Sequence, residues 1–201
     1  MKMQISTATA LFVLAVISTP TACGGPSNES LAEPVFSNTG EASQHPVQAS
    51  FEGTMLDLAS DWGEAHSCVI WRQGGIIQCF RTTHEHDRLV AKIEDSFAKV
   101  SNLAPTPDRI LACSRSCLHL YQDSNFRSRE LTFCDRGYWQ NLTGYGFNDE
   151  LSSYKTGAHG VHLAEHTNGG GYWYPGNTGA CVAAGGMSSG WNDRVSSIYI
   201  Q

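Results

Sequence analysis

The chain has 201 residues and a formal net charge of −6 at pH 7, with 13 Lys and Arg against 19 Asp and Glu. That length holds one domain, or a small and a medium one, and the absence of a basic cluster excludes nucleic-acid binding of the usual electrostatic kind. Glycine is abundant, at 20 residues, and much of it falls after Gly144, which suits turn-rich β structure.

In chain order, residues 1–22 read as an export signal. Lys2 gives the positive start, and the apolar run from Ala10 to Ile17 is too short to span a membrane. Ala22-Cys23-Gly24-Gly25 resembles a bacterial lipoprotein box, so Cys23 is expected to carry the lipid; ordinary cleavage after Ala22 is the alternative. With Gly rather than Asp after the cysteine, the anchored protein is expected at the outer membrane. The rest of 23–50 is Ser, Pro, Gly, Glu and Asn with little to bury, which predicts a tether.

Residues 51–110 are expected to form a small α+β subdomain. Cys68 to Phe80 reads as a hairpin turning at Gln73-Gly74-Gly75. Cys68 and Cys79 stand at its mouths, with a bulge or a longer turn needed to bring them opposite. Thr82 and Glu85 form a capping box, and behind it Leu89, Val90, Ile93, Phe97 and Val100 repeat at helical spacing. Pro105 and Pro107 end the unit as a hinge. Residues 111–201 hold alternating strands at LHLYQ, ELTFC, VHLAE and SSIYI. Of seven cysteines, Cys23 stands in the leader region and six remain for bridges, which implies an oxidising compartment. The bridge Cys68–Cys79 closes the hairpin. The other four allow three patterns; Cys117–Cys134 with Cys113–Cys181 is the expected one, since Cys117 opens one strand and Cys134 closes the next.

The stretch that carries the chemistry is Gly146 to Ser153, GFNDELSS, echoed as GWNDRVSS from Gly190 to Ser197. Two copies suggest a duplicated unit, and their carboxylates, hydroxyls and turn carbonyls suit a hard cation such as calcium. Asn-Asp-x-x-Ser-Ser is similar to the calcium signature N/D-N/D-x-x-S/T-S of the βγ-crystallin superfamily, present once per Greek-key motif. Upstream, Tyr121-x4-Phe126-x-Ser128 resembles the family's aromatic hairpin, with Ser in place of Gly. Leu163-x4-Asn168-x-Gly170 is the second hairpin, without its aromatics.

The resemblance implies a mostly β fold, a βγ-crystallin-like double Greek-key sandwich over residues 111–201. It also implies two Ca2+ sites built reciprocally by the two loops. Ser152 and Ser196 would give hydroxyls, Glu150 and Arg194 backbone carbonyls, and Asp149 and Asp193 side chains across to the partner loop, while Asn148 and Asn192 brace the loops. The Arg194 charge is expected to weaken the second site. The region from about Phe51 onward is similar to bacterial crystallin-like proteins grouped with a secreted metalloproteinase inhibitor, so a peptidase inhibitor with a metalloprotease partner is the alternative function.

Other motifs are expected to be structural. Gly186-Met187-Ser188-Ser189-Gly190 matches G-x-S-x-G but lacks the strand and helix that a nucleophile elbow needs, so no catalysis is expected. His84-Glu85-His86 places its histidines two apart on a helix, and a solvated first turn is the expectation. Cys113 and Cys117 are expected in disulfides rather than at zinc.

Overall fold

The computed structural model describes residues 46–100 and 116–201. The export signal, Cys23, the expected tether up to residue 45, Cys113 and the expected proline hinge lie outside the described residues; the last part of the expected tether is ordered instead, with Val47 and Ala49 buried because their apolar side chains join the core at the first strand, which begins at Gln48. The described strands are β1 (Gln48–Phe51), β2 (Thr54–Asp57), β3 (Ser67–Trp71), β4 (Ile76–Phe80), β5 (Leu118–Asp123), β6 (Arg127–Phe133), β7 (Trp139–Asn141), β8 (Ser153–Lys155), β9 (Val161–Ala164), β10 (Ala183–Ala184) and β11 (Ser197–Ile200). The helix α1 runs Thr83–Val100 between β4 and β5.

The protein is mostly β, with two sheets. One has eight strands in the order β10-β8-β5-β6-β3-β4-β1-β2; the other has three, β7-β11-β9. Strand alternation divides the large sheet into two faces. Cys68 and Ile70 of β3, Leu118 and Leu120 of β5, and Leu131 and Phe133 of β6 point inward. There they share one core with Leu163 of β9 and Ile198 and Ile200 of β11. On the other face, Val69 and the bridge-forming Cys117 and Cys134 meet Val90 and Ile93 of α1, with Leu89 and Phe97 packed alongside. The helix therefore buries its apolar stripe on the sheet's outer face, each fully buried aliphatic contributing about 1.5–3 kcal/mol. Its N-terminus carries half of the expected capping box: Thr82 Oγ1 accepts the Glu85 N–H at 3.5 Å, while the same hydroxyl donates to Glu85 Oε2 at 2.9 Å.

The boundary expected near residue 110 does not separate two sheets. β3 pairs in parallel with β6 from Ser67↔Glu130 to Ile70↔Phe133, so the N-terminal strands extend the same sheet. A hairpin edge left open would expose a row of unpaired backbone groups, and β6 satisfies it. The loop between β2 and β3 is tied in as well: Trp62 Nε1 donates to the Tyr145 carbonyl at 2.8 Å, and Trp62 lies 6.1 Å from Phe147.

The β3–β4 hairpin takes the longer of the expected solutions, a four-residue turn without a bulge. Its register runs Trp71↔Ile76 and Cys68↔Cys79, so the turn is Arg72 to Gly75, one residue earlier than the glycine pair suggested. The Cys68–Cys79 bridge has its Cα atoms 4.0 Å apart, and Cys117–Cys134 joins the ends of β5 and β6 with Cα atoms 4.4 Å apart. Cys181 is disulfide-bonded too.

The turn is fastened to the neighbouring strand by Asp135, which is fully buried. Its carboxylate accepts the Arg72 N–H at 2.6 Å and the Gln73 N–H at 3.1 Å. Hydrogen bonds to a charged group contribute about 1.5–3 kcal/mol each. Asp135→Ala should therefore lower unfolding stability in urea by about 3 kcal/mol, while an unchanged midpoint would show that the turn holds itself.

Candidate metal centre

The two Asn-Asp loops face one another. Each begins from a glycine in the left-handed region, Gly146 at φ 60° and Gly190 at φ 77°, where a Cβ would be strained. The aromatic that follows, Phe147 or Trp191, is buried in the core and anchors the loop, as are Leu151 and Val195 four positions on. Asp149 and Asp193 both sit at φ 55°, a conformation Asp tolerates better than most side chains. The backbone then crosses: the Asp149 N–H donates to the Val195 carbonyl at 3.1 Å, and the Asp193 N–H to the Leu151 carbonyl at 3.2 Å.

The side chains cross with it. Ser152 Oγ lies 3.3 Å from Asp193 Oδ1, and Ser196 Oγ lies 3.1 Å from Asp149 Oδ1. Each pair holds a hydroxyl and a carboxylate oxygen at the spacing of adjacent ligands on a cation with oxygen distances of about 2.4 Å. The second carboxylate oxygen accepts from the preceding amide, Asn148 Nδ2 at 2.7 Å and Asn192 Nδ2 at 2.6 Å. Asn148 Oδ1 is buried without a hydrogen-bond partner. The Ser152–Asp193 pair opens into a cleft of about 600 Å³ also lined by Asp123, Asp149 and Glu150.

The third residue of each motif turns its side chain to an ion pair. Glu150 Oε2 accepts from Arg129 and from Gln122, both at 2.6 Å. Arg194 donates to Glu165 Oε1 at 2.6 and 2.9 Å and stacks 5.0 Å from the Trp191 ring. The Arg194 guanidinium holds the Glu165 carboxyl below the usual carboxylate range. The charge expected to oppose a cation at the second loop is thus matched by a carboxylate.

Behind the loops, the last serine of each motif pins a hairpin. Ser153 Oγ donates to the Asp123 carbonyl at 2.6 Å and accepts the Phe126 N–H at 3.0 Å. Ser197 Oγ donates to the His166 carbonyl at 2.6 Å and accepts the Gly169 N–H at 3.0 Å. These contacts correct the alignment of the second hairpin by one residue. Asp123 corresponds to His166 and Phe126 to Gly169, so Ser128 corresponds to Gly171 rather than Gly170. The left-handed residues agree: Asn125, Phe126 and Ser128 in one hairpin, Asn168, Gly169 and Gly171 in the other. The place of the missing second aromatic is covered by Trp139, whose ring would lie 2.4 Å from a Cβ at Gly169.

The G-x-S-x-G segment is loop: the Tyr174 hydroxyl accepts the Ser188 N–H at 2.9 Å, and the chain runs on into the second Asn-Asp turn. A correction applies to His86. It is buried, not solvated, while His84 is exposed. His86 meets His119, Glu130 and Thr132 between α1 and the sheet, and sequence reasoning missed this group. Burial pushes the Glu130 carboxyl up, but the His119 hydrogen bond and the fields of His86 and His119 outweigh it and hold the group below its ordinary value.

No protein-family model matches the chain, and no curated protein matches it. Solved structures resemble part of it at a distance. A βγ-crystallin domain from Flavobacterium johnsoniae is 26% identical, over 42% of this chain and 92% of that one, with a TM-score of 0.33. A βγ-crystallin domain from Clostridium beijerinckii is 19% identical, over 42% and 95%, with a TM-score of 0.35. A βγ-crystallin from Ciona intestinalis is 23% identical, over 42% and 99%, with a TM-score of 0.34.

Removing the buried Ser197 hydroxyl leaves a carbonyl and an N–H unpaired. Ser197→Ala should cost about 2 kcal/mol, read by chemical denaturation. Ser128→Gly should move the other way, by about 0.5–1 kcal/mol, because Ser128 holds a φ of 62° that glycine adopts freely.

Proposed function

We propose that the chain is a non-enzymatic calcium-binding protein of the cell envelope, with a βγ-crystallin-like double Greek-key arrangement presenting two reciprocal sites. The observation that carries this reading is the crossing of the loops, Ser152 with Asp193 and Ser196 with Asp149. An Asn-Asp turn that served only itself would bond locally. Here each aspartate is delivered to the other loop's serine, which is the arrangement two shared sites require. The donors are all oxygen and flexible in number, as calcium prefers. Ser152, Asp193 and the Glu150 carbonyl would hold one ion; Ser196, Asp149 and the Arg194 carbonyl would hold the other. A bound cation would replace the weak serine–aspartate contacts with ligation and tie the two repeats together. With one carboxylate per site, affinity should be roughly 10⁻⁵ to 10⁻⁴ M. We further propose export and anchoring through a lipid on Cys23, supported by the leader pattern in the sequence.

The experiment is calcium titration followed by calorimetry and thermal melts. A site filled at 100 times its Kd stabilises the fold by about 2.7 kcal/mol, so saturating calcium should raise Tm by about 5 °C or more. Asp149→Ala and Asp193→Ala should each remove one of two binding equivalents, and the double variant both. No heat and no shift at millimolar calcium in the wild type would refute the reading. The competing function, inhibition of a metalloprotease, is checked on the same protein against thermolysin-like enzymes, where the calcium reading expects unchanged peptide hydrolysis.

A further inference from the structure

The calcium loops leave unused a second convergence of donor atoms on the opposite face of the large sheet. Alternation along β5 and β6 turns Leu118, Leu120, Leu131 and Phe133 inward, and so turns His119, Glu130 and Thr132 outward beneath α1. There His86, one turn before Val90 on the helix's buried stripe, reaches down to them. All four residues are buried. A soluble sheet covered by a helix would ordinarily fill this interface with apolar side chains, as it does a few residues away around Val69, Val90 and Ile93.

The donor atoms lie close together. His119 Nδ1 lies 2.7 Å from Glu130 Oε1, and His86 Nε2 lies 3.9 Å from the same oxygen. Thr132 Oγ1 stands 3.0 Å from His86 Nε2, 3.1 Å from His119 Nδ1 and 3.4 Å from Glu130 Oε1. The two nitrogens and the carboxylate oxygen all lie within 4.8 Å of one another. Ligands about 2.1 Å from a tetrahedral ion stand about 3.4 Å apart, and these separations straddle that value.

The surroundings match a ligand set as well. His86 Nδ1 meets Asp87 Oδ1 at 3.0 Å. A proton held there by the carboxylate leaves Nε2 as a lone pair aimed at the centre, the orienting device of metal-bound histidines. His119 differs: its Nε2 has no hydrogen-bond partner among the described residues, so this ring lacks the orienting contact that His86 has. A cleft of about 430 Å³ lined by Asp87, Glu94, His119 and Glu130 gives an ion a path from solvent.

We propose that His86 Nε2, His119 Nδ1 and Glu130 Oε1, with the Thr132 hydroxyl at the fourth corner, form a structural site for a divalent transition metal of the zinc class. Two imidazoles and one carboxylate select zinc over calcium, which takes six to eight oxygens. The ion would fasten α1 to β5 and β6 and balance the buried carboxylate. This site is separate from the Asn-Asp loops and stands whether or not those loops bind calcium.

The test uses the full chain, stripped with chelator and titrated with Zn2+ in saturating Ca2+. One equivalent of Zn2+ should bind and raise Tm, and Co2+ in its place should give the intense visible bands of a tetrahedral ion. Glu130→Gln and His86→Gln, checked for folding by circular dichroism, should each lower Zn2+ affinity at least tenfold, while His84→Gln on the exposed side of the same turn should not. X-ray absorption of the zinc-loaded wild type should count two imidazoles, a readout independent of whether the variants fold. Absence of stoichiometric Zn2+ in folded wild type, Zn2+ binding unchanged in folded Glu130→Gln and His86→Gln, or a zinc shell without imidazole would each overturn the proposal.

Discussion

The exchange of one aspartate for another across the two loops is the constraint on which the rest of the structure depends. Asp149 reaches Ser196 only because its backbone is left-handed and its N–H is bound by Val195; Asp193 reaches Ser152 by the same means through Leu151. Neither loop can move alone. Each also bonds the strands around it: the Ser152 N–H donates to the Tyr121 carbonyl, and the Ser196 N–H to the Ala164 carbonyl. Ser153 and Ser197 then fix the hairpins that end those strands. Two adjacent serines thus divide the work. The first faces the partner loop and the second faces the chain's own hairpin.

The duplication is close in backbone at the loops and hairpin turns and loose in side chains. Tyr121 and Phe126 make an aromatic corner, their rings 5.5 Å apart and steeply tilted. Their counterparts are Ala164 and Gly169, which have no rings. Trp139 fills the gap from β7, and Trp173 Nε1 donates to the Gly169 carbonyl at 2.8 Å. The charges differ in the same spirit. Glu150 answers to Arg129 in the first repeat and Arg194 to Glu165 in the second, so each loop keeps one ion pair with its polarity reversed. The backbone geometry tolerates such swaps, because a turn needs particular φ values while a corner needs only filled volume.

What the sequence disclosed was local. The capping box, the Cys68–Cys79 hairpin and the paired loops each lie within a few residues, and their signals are turn residues and spacing. What it withheld was long-range. The parallel pairing of β3 with β6 joins residues some sixty positions apart, and no periodicity marks which edge a hairpin will seek. The one-residue offset in the second hairpin was hidden because its aromatics are gone, leaving adjacent glycines that fit either alignment. His86 was legible in principle. It stands four residues before Val90, seven before Ile93 and eleven before Phe97, on the apolar stripe itself. The residues just before it, His84 and Glu85, are exposed, and they give the whole turn a solvated look in the sequence.

The N-terminal strands and helix are more than an appendage for the same reason that His119 and Glu130 lie buried. A bare β5–β6 pair would show its outer face to water, where an imidazole and a carboxylate cost nothing. Once β3 extends the sheet and α1 covers it, those groups lose water and must be satisfied within the protein. The added segment also reaches the loops through Arg129. Its guanidinium lies 5.0 Å from the Trp62 ring and 5.9 Å from the Phe147 ring, and pairs with Glu150. Trp62 comes from the N-terminal region, while Phe147 and Glu150 belong to the first Asn-Asp loop. One half-buried arginine therefore sits where both regions meet, and the position of that loop is set from the N-terminal side as well as by its twin.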